Sequence, residues 1–163
     1  MNRKLIIGVA IAGFIGVFIY VSLNQITPAE IENAPDWLTM ETAVELATES
    51  EGEKLILVDI FEVGCVYCRQ MEREVYPSPS IRTLLDRSFY PVKVNGNSET
   101  PIVYKGESMT QQQFAALMGV SAFPFTVVLD QEGNVVDRRR GYMGVTDLSR
   151  FLNGILRDRE AEG

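Results

Sequence analysis

The stretch KLILVDIFEVGCVYC occupies residues 54–68 and contains both cysteines of the 163-residue chain. Its first part, Lys54–Phe61, is a short β-branched and aromatic run, which predicts a buried strand with a single acid at Asp59. Cys65 and Cys68 follow after a short turn, and a helical pattern comes directly after them. The sequence therefore predicts a Cys-x-x-Cys pair at a strand-to-helix junction.

This placement of the two cysteines favours thiol chemistry. The first sulfur lies beside unpaired backbone N–H groups and the positive end of the helix dipole, which favour the thiolate over the thiol. Cys65 is therefore predicted to be the nucleophile. Cys68 lies one turn later, within reach of Cys65, so it can attack a mixed disulfide and release the substrate.

A structural disulfide and a metal site are the two other interpretations of the cysteine pair. A purely structural disulfide is poorly placed here, because so short a loop constrains the unfolded chain little. A zinc site needs more sulfur or imidazole ligands than the chain offers, since it has no third cysteine and no histidine. A copper site formed by Cys65, Cys68 and Met71 is the remaining metal hypothesis.

The charge balance and the absence of histidine each exclude a class of function. The chain carries 15 basic and 22 acidic residues, for a formal net charge of −7. Nucleic-acid binding needs a basic surface, so this balance excludes nucleic acid as a partner. The absence of histidine excludes Ser-His-Asp triads, Cys-His proteases and imidazole proton shuttles.

The N-terminal segment predicts export from the cytoplasm. Residues 5–23 carry no charge, and as a helix they would span roughly 28 Å, enough to cross a bilayer once. Arg3 and Lys4 precede this run, which places the N-terminus in the cytoplasm and the remainder outside it. A retained inner-membrane anchor is favoured over a cleaved signal peptide, because the run is long and lacks a small-x-small site directly after it.

These patterns divide the chain into three parts: residues 1–26 as the anchor or signal segment, 27–38 as a linker, and 39–163 as one domain. Within the domain, helices alternate with strands, which predicts an α/β fold with one mixed sheet. The predicted helices are Met40–Thr48, Arg69–Val75, Pro79–Ser88, Gln111–Met118 and Thr146–Leu156. The strands predicted after Lys54–Phe61 are Phe89–Val94, Phe125–Leu129 and Asn134–Arg140. The segment Asn95–Ser108 is predicted as a loop with a small hairpin around Val103–Lys105.

Three motifs together resemble the thioredoxin superfamily. They are Leu57–Phe61, the Cys65-Val66-Tyr67-Cys68 site, and Phe123-Pro124 before a strand. The resemblance spans residues from about 40 to 158 and implies a thioredoxin-like fold, a mixed central β-sheet flanked by helices, here with an N-terminal transmembrane helix. Within the superfamily the chain is most similar to periplasmic thioredoxins of the SoxW type, which share a Cys-x-Tyr-Cys site and a helix end like Glu74–Pro77.

The resemblance also implies roles for individual residues. Asp59 matches the buried acid that accepts the proton of Cys68, and Lys93 resembles the lysine near that acid. Pro124 matches the cis-proline that faces the cysteine pair, and the backbone of Phe123 would pair with an extended substrate segment.

The function implied is a thiol–disulfide oxidoreductase on the periplasmic or extracytoplasmic face of the membrane, reducing disulfides of exported proteins. It needs no cofactor, and the resemblance implies a membrane electron donor. Gly64 replaces the usual tryptophan and Val66-Tyr67 replaces Gly-Pro, which leaves the direction of electron flow open. The alternatives are a disulfide oxidant or isomerase of the same fold, and a non-enzymatic binding or copper-handling module.

Overall fold

The computed structural model describes residues 3–24, 31–50 and 53–162, with the side chains of the first helix described at residues 8 and 11–22. Part of the predicted linker, 27–30, and Glu51-Gly52, predicted to end a helix, lie outside the described residues. The chain divides into two compact units, Met1–Ile31 and Glu32–Gly163.

The first unit contains helix α1, Arg3–Asn24, so the uncharged N-terminal run is helical. Within the residues that the structure describes, no helix is long and apolar enough to cross a membrane. The transmembrane helix predicted over residues 5–23 is therefore not supported by the structure.

The second unit contains a four-stranded mixed sheet in the order β2-β1-β5-β6. Strand β1 pairs in parallel with β2 and antiparallel with β5, and β6 is antiparallel to β5. A separate hairpin joins β3 and β4. The strands are β1 Leu55–Phe61, β2 Phe89–Asn95, β3 Pro101–Tyr104, β4 Glu107–Thr110, β5 Phe125–Leu129 and β6 Val135–Arg140.

Five helices of the second unit accompany the sheet. Thr39 caps the first of them by accepting a hydrogen bond from the Thr42 backbone N–H at 3.2 Å. Pro79 begins α4 at a position where a missing N–H costs nothing. The helices are α2 Met40–Glu49, α3 Val66–Gln70 with a π-helical continuation Met71–Val75, α4 Pro79–Ser88, α5 Gln111–Leu117 and α6 Val145–Glu162.

Both faces of the sheet are covered by apolar side chains. Alternation along β1 directs Ile56, Val58 and Ile60 toward α2, α5 and the hairpin. Leu55 and Leu57 face the opposite side, with the π-helical segment Met71–Val75, α4 and α6. The central strand is thus buried on both faces, as its continuous apolar sequence predicts.

The predicted elements are largely confirmed, and the differences have physical reasons. The helix predicted over Arg69–Val75 begins earlier, at Val66, because Cys65 caps its N-terminus. The region predicted as a loop, Asn95–Ser108, contains most of a regular hairpin. That hairpin forms because Ile102 and Tyr104 alternate into the core.

Candidate active site

The two cysteines form a disulfide at the end of β1, with Cα atoms 5.3 Å apart. The turn that leads into it places Gly64 at φ 92°. This left-handed conformation is costly for residues with a Cβ, so it favours glycine at position 64. Members of the resembling family usually have tryptophan at this position. Gly64 therefore explains how the chain turns sharply from the strand into the helix that carries the disulfide.

The two sulfurs differ in exposure. Cys65 is partly exposed, whereas Cys68 is only 6% exposed. The Cys65 Sγ accepts a hydrogen bond from the Cys68 backbone N–H at 3.1 Å, so Cys65 acts as the N-cap of α3. After reduction, the same N–H would stabilise a thiolate on Cys65. The geometry therefore suits Cys65 to attack an external disulfide, and it suits the buried Cys68 to attack the resulting mixed disulfide at Cys65.

An apolar rim surrounds the exposed sulfur. Val63, Val66 and Tyr67 are exposed, although apolar side chains of this size are usually buried. The rings of Tyr67 and Tyr142 are 6.1 Å apart between centroids. The rim is therefore an exposed apolar and aromatic surface beside Cys65.

Asp59 is buried in the centre of the sheet, with 2% of its surface exposed. Burial raises its pKa from 3.8 to about 6, because the charged form loses its hydration. The Tyr76 hydroxyl and the Lys93 charge lower the pKa of Asp59, and the negative charge of Glu72 raises it. With this pKa, Asp59 is mostly ionised at neutral pH yet basic enough to accept a proton.

Lys93 is the register partner of Asp59 on the adjacent parallel strand. Its ammonium group forms an ion pair with Glu72 from the π-helical segment. The same group lies 4.8 Å from the centroid of the Phe61 ring and 5.5 Å from that of Trp37. Lys93 thus contacts Glu72 directly and acts on Asp59 through its charge.

A cavity of about 280 Å³ joins the disulfide to this ion pair. Its lining includes the buried Cys68 and both Lys93 and Glu72. The rest of the lining is largely apolar and includes Phe61 and Val63. The cavity thus places the second cysteine and the Lys93–Glu72 ion pair at the same opening in the fold.

The Phe123–Pro124 peptide bond is cis. Pro124 is buried and its carbonyl accepts a hydrogen bond from the Gly141 N–H at 2.8 Å. The Phe123 ring packs so closely on Gly96 that a Cβ there would lie 2.5 Å from its Cε1 atom. Glycine at position 96 therefore leaves the space that the Phe123 ring occupies.

A family model described as a thioredoxin-like domain matches residues 40–155. The chain belongs to this thioredoxin-like family. The family, the fold and the Cys65–Cys68 disulfide together support a thiol–disulfide oxidoreductase in general terms.

Solved structures share the thioredoxin-like fold at low sequence identity. The DsbH oxidoreductase has a TM-score of 0.61 and 19% identity over 80% of this chain and 90% of its own. A thioredoxin from Thermus thermophilus has a TM-score of 0.58 and 22% identity over 74% and 85% of the two chains. The oxidised C-terminal domain of DsbD from Neisseria meningitidis has a TM-score of 0.54 and 15% identity over 71% and 91%.

At such identities these likenesses establish the fold alone. No curated protein matches the chain. The finer properties of this thioredoxin-like protein must therefore be argued from its own residues.

The thioredoxin-like domain places the predicted site residues in two groups. Asp59 and Lys93 lie on neighbouring strands and interact electrostatically, while Cys68 borders the cavity that Lys93 also lines. Phe123 and Pro124 precede β5, the strand that pairs with the other side of β1. Their catalytic and substrate-binding roles stay predictions.

Three residues near the site were missed by the sequence analysis. Glu72 and Tyr76 follow the disulfide by one and two further turns, and Thr126 is the register partner of Asp59 on β5. The spacing of Cys68, Glu72 and Tyr76 at four-residue intervals was the available signal, because it places them on one helical face.

The copper hypothesis gains no observation from the structure. Met71 is fully buried among apolar side chains of the core. Among the described residues, no group of three or more histidine, cysteine, aspartate or glutamate side chains could hold a metal ion.

Proposed function

We propose that this thioredoxin-like protein reduces disulfides of exported proteins outside the cytoplasm. The observation that carries the proposal is the difference between the two sulfurs: Cys65 is partly exposed and accepts a hydrogen bond from a backbone N–H, whereas Cys68 is buried beside a cavity that Lys93 and Glu72 also line. This arrangement suits attack followed by resolution. The disulfide in the structure is the oxidised form that such a cycle would leave.

The reaction proceeds in two balanced steps. The Cys65 thiolate attacks one sulfur of a substrate disulfide, the substrate S–S bond breaks, and a mixed disulfide forms with release of one substrate thiolate. Cys68 then gives its proton toward the Asp59 carboxylate and attacks the Cys65 sulfur. The second substrate thiolate leaves, and two electrons have passed from the protein to the substrate.

The extracytoplasmic location rests on sequence. Arg3 and Lys4 precede an uncharged apolar run, a pattern typical of export signals. A reductase in an oxidising compartment needs a supply of electrons, so the proposal includes a membrane electron donor that carries cytoplasmic reducing equivalents. The substrate is an extended segment of an exported protein that contacts the Tyr67 rim and the backbone of Phe123.

The direction of electron flow is tested by the reduction potential of the Cys65–Cys68 pair. We expect a value at or below about −230 mV, as in dithiols that donate electrons. The measurement is equilibration of the purified protein with glutathione buffers, followed by thiol trapping. A value near about −180 or −120 mV would contradict the reductase and favour the isomerase or oxidant alternative.

A further inference from the structure

A row of polar side chains crosses one face of the sheet beside the disulfide. Lys93 on β2, Asp59 on β1 and Thr126 on β5 are successive register partners. Strand alternation places all three on the face that the π-helical segment Met71–Val75 covers. Apolar residues would be expected along such a row, so these polar side chains indicate a function.

Tyr76 covers this row from the segment that follows the π-helix. It is fully buried, as is Thr126, and its hydroxyl interacts with both Asp59 and Thr126. Asp59 Oδ1, Tyr76 Oη and Thr126 Oγ1 are buried, and none of these atoms has a hydrogen-bond partner among the described residues. Three such oxygens at one place are unusual, because unpartnered buried polar groups are costly.

The Tyr76 ring is held in place from its other side. The Trp37 ring meets it edge-on, with centroids 5.0 Å apart and planes at 87°. Trp37 in turn lies under the Lys93 ammonium group. This packing fixes the ring whose hydroxyl interacts with Asp59.

We propose that Tyr76 is a positioning residue, whose hydroxyl favours the Asp59 carboxylate and so keeps it able to accept the proton of Cys68. The proposal rests on the proposed disulfide reduction. Burial and the charge of Asp59 raise the pKa of Tyr76 well above its usual value, so the hydroxyl keeps its own proton and can donate it toward the Asp59 carboxylate.

Two charged groups, Lys93 and Glu72, also change the pKa of Asp59. Lys93 from β2 favours its charged form, and Glu72 from the π-helical segment opposes it. Cys68 from α3 supplies the proton. Because Lys93 and Glu72 are unchanged in a Tyr76 variant, their effects stay constant while that of the hydroxyl is removed.

The test is the carboxyl titration of Asp59 by ¹³C NMR in the oxidised protein. Tyr76→Phe removes the hydroxyl but keeps the ring and its contact with Trp37. We expect the Asp59 midpoint to move upward by about one pH unit, the size of one charge-assisted hydrogen bond. The matched control is Tyr104→Phe, which removes a buried hydroxyl that donates to the Gly133 carbonyl at 2.6 Å, and it should leave the midpoint unchanged.

Reduction of insulin disulfides, measured over a pH series, separates the role of Tyr76 from the proposed disulfide reductase activity. We expect the acid limb of the Tyr76→Phe profile to shift upward with the Asp59 midpoint. An active variant with unchanged midpoint and profile would overturn the role of Tyr76 and leave the reductase standing. A wild type without reductase activity at any pH would overturn the proposed function, and the role in proton transfer would fall with it.

Discussion

Cys65→Ser is expected to abolish disulfide reduction, whereas Cys68→Ser is expected to attack once and stall. The first change removes the partly exposed sulfur that accepts a hydrogen bond at the N-terminus of α3. The second leaves this sulfur in place but removes the buried one that resolves the mixed disulfide. The measurement is insulin reduction driven by dithiothreitol, with mass spectrometry of the acid-quenched protein to detect the adduct.

The double variant Cys65→Ser/Cys68→Ser is the control for this experiment, because it should neither turn over nor form an adduct. Turnover at the wild-type rate by either single variant would show that the site has been assigned wrongly. An adduct on Cys68 in the Cys65→Ser protein, at the rate seen for Cys65, would show that the roles of the two sulfurs are reversed.

The second large effect concerns stability. Asp59→Asn is expected to stabilise the oxidised protein at pH 7 by up to about 3 kcal/mol, because burial raises the pKa of Asp59 from 3.8 to about 6. Between these values the folded state binds more protons than the unfolded state, so the contribution of Asp59 to stability falls as pH rises from about 4 to 6. Asparagine has the same shape and never carries this charge.

Denaturant unfolding of both proteins at pH 4 and pH 7 checks this result. The gain should be close to its full size at pH 7 and small at pH 4, where the wild-type carboxyl is protonated in the folded state. Asp158→Asn, which removes a charge from an exposed position on α6, is the matched control. An Asp59→Asn effect that is independent of pH would contradict the assignment of the raised pKa.

The same substitution should slow turnover, because asparagine cannot accept the proton of Cys68. Greater stability with lower activity is the pattern expected of a buried group kept for its chemistry. The ionised Asp59 would then lower the free energy of unfolding at neutral pH while it supplies a base for the proton of Cys68.

Local patterns in the sequence predicted much of the fold. The helix Pro79–Ser88 and the strand Phe125–Leu129 match the structure at both ends, because a proline at a helix start and a continuous apolar strand are strong local signals. The small hairpin predicted around Val103–Lys105 is present, but it is longer, Pro101–Thr110, because its second strand is mostly polar and gives little strand signal.

The site was predicted less completely than the fold. The Cys-x-x-Cys spacing and its position after a strand identify the sulfurs, since that chemistry is local. The pairing of Lys93 with Glu72 depends on a π-helical segment packing over β2, which no periodicity shows. The Tyr76 hydroxyl was missed for a different reason: its four-residue spacing from Glu72 and Cys68 places it on their helical face, but that spacing does not distinguish it from a simple core residue.

The central claim is that Cys65 exchanges disulfides with exported proteins, and the most direct test is capture of these partners. Cys68→Ser is expressed in the native host, the cells are quenched with acid, and proteins held to Cys65 are identified by mass spectrometry. We expect discrete adducts with exported proteins that disappear on reduction and are absent from the Cys65→Ser/Cys68→Ser control. An absence of adducts from well-expressed, folded protein would contradict the account and favour a binding or metal-handling role for the two cysteines.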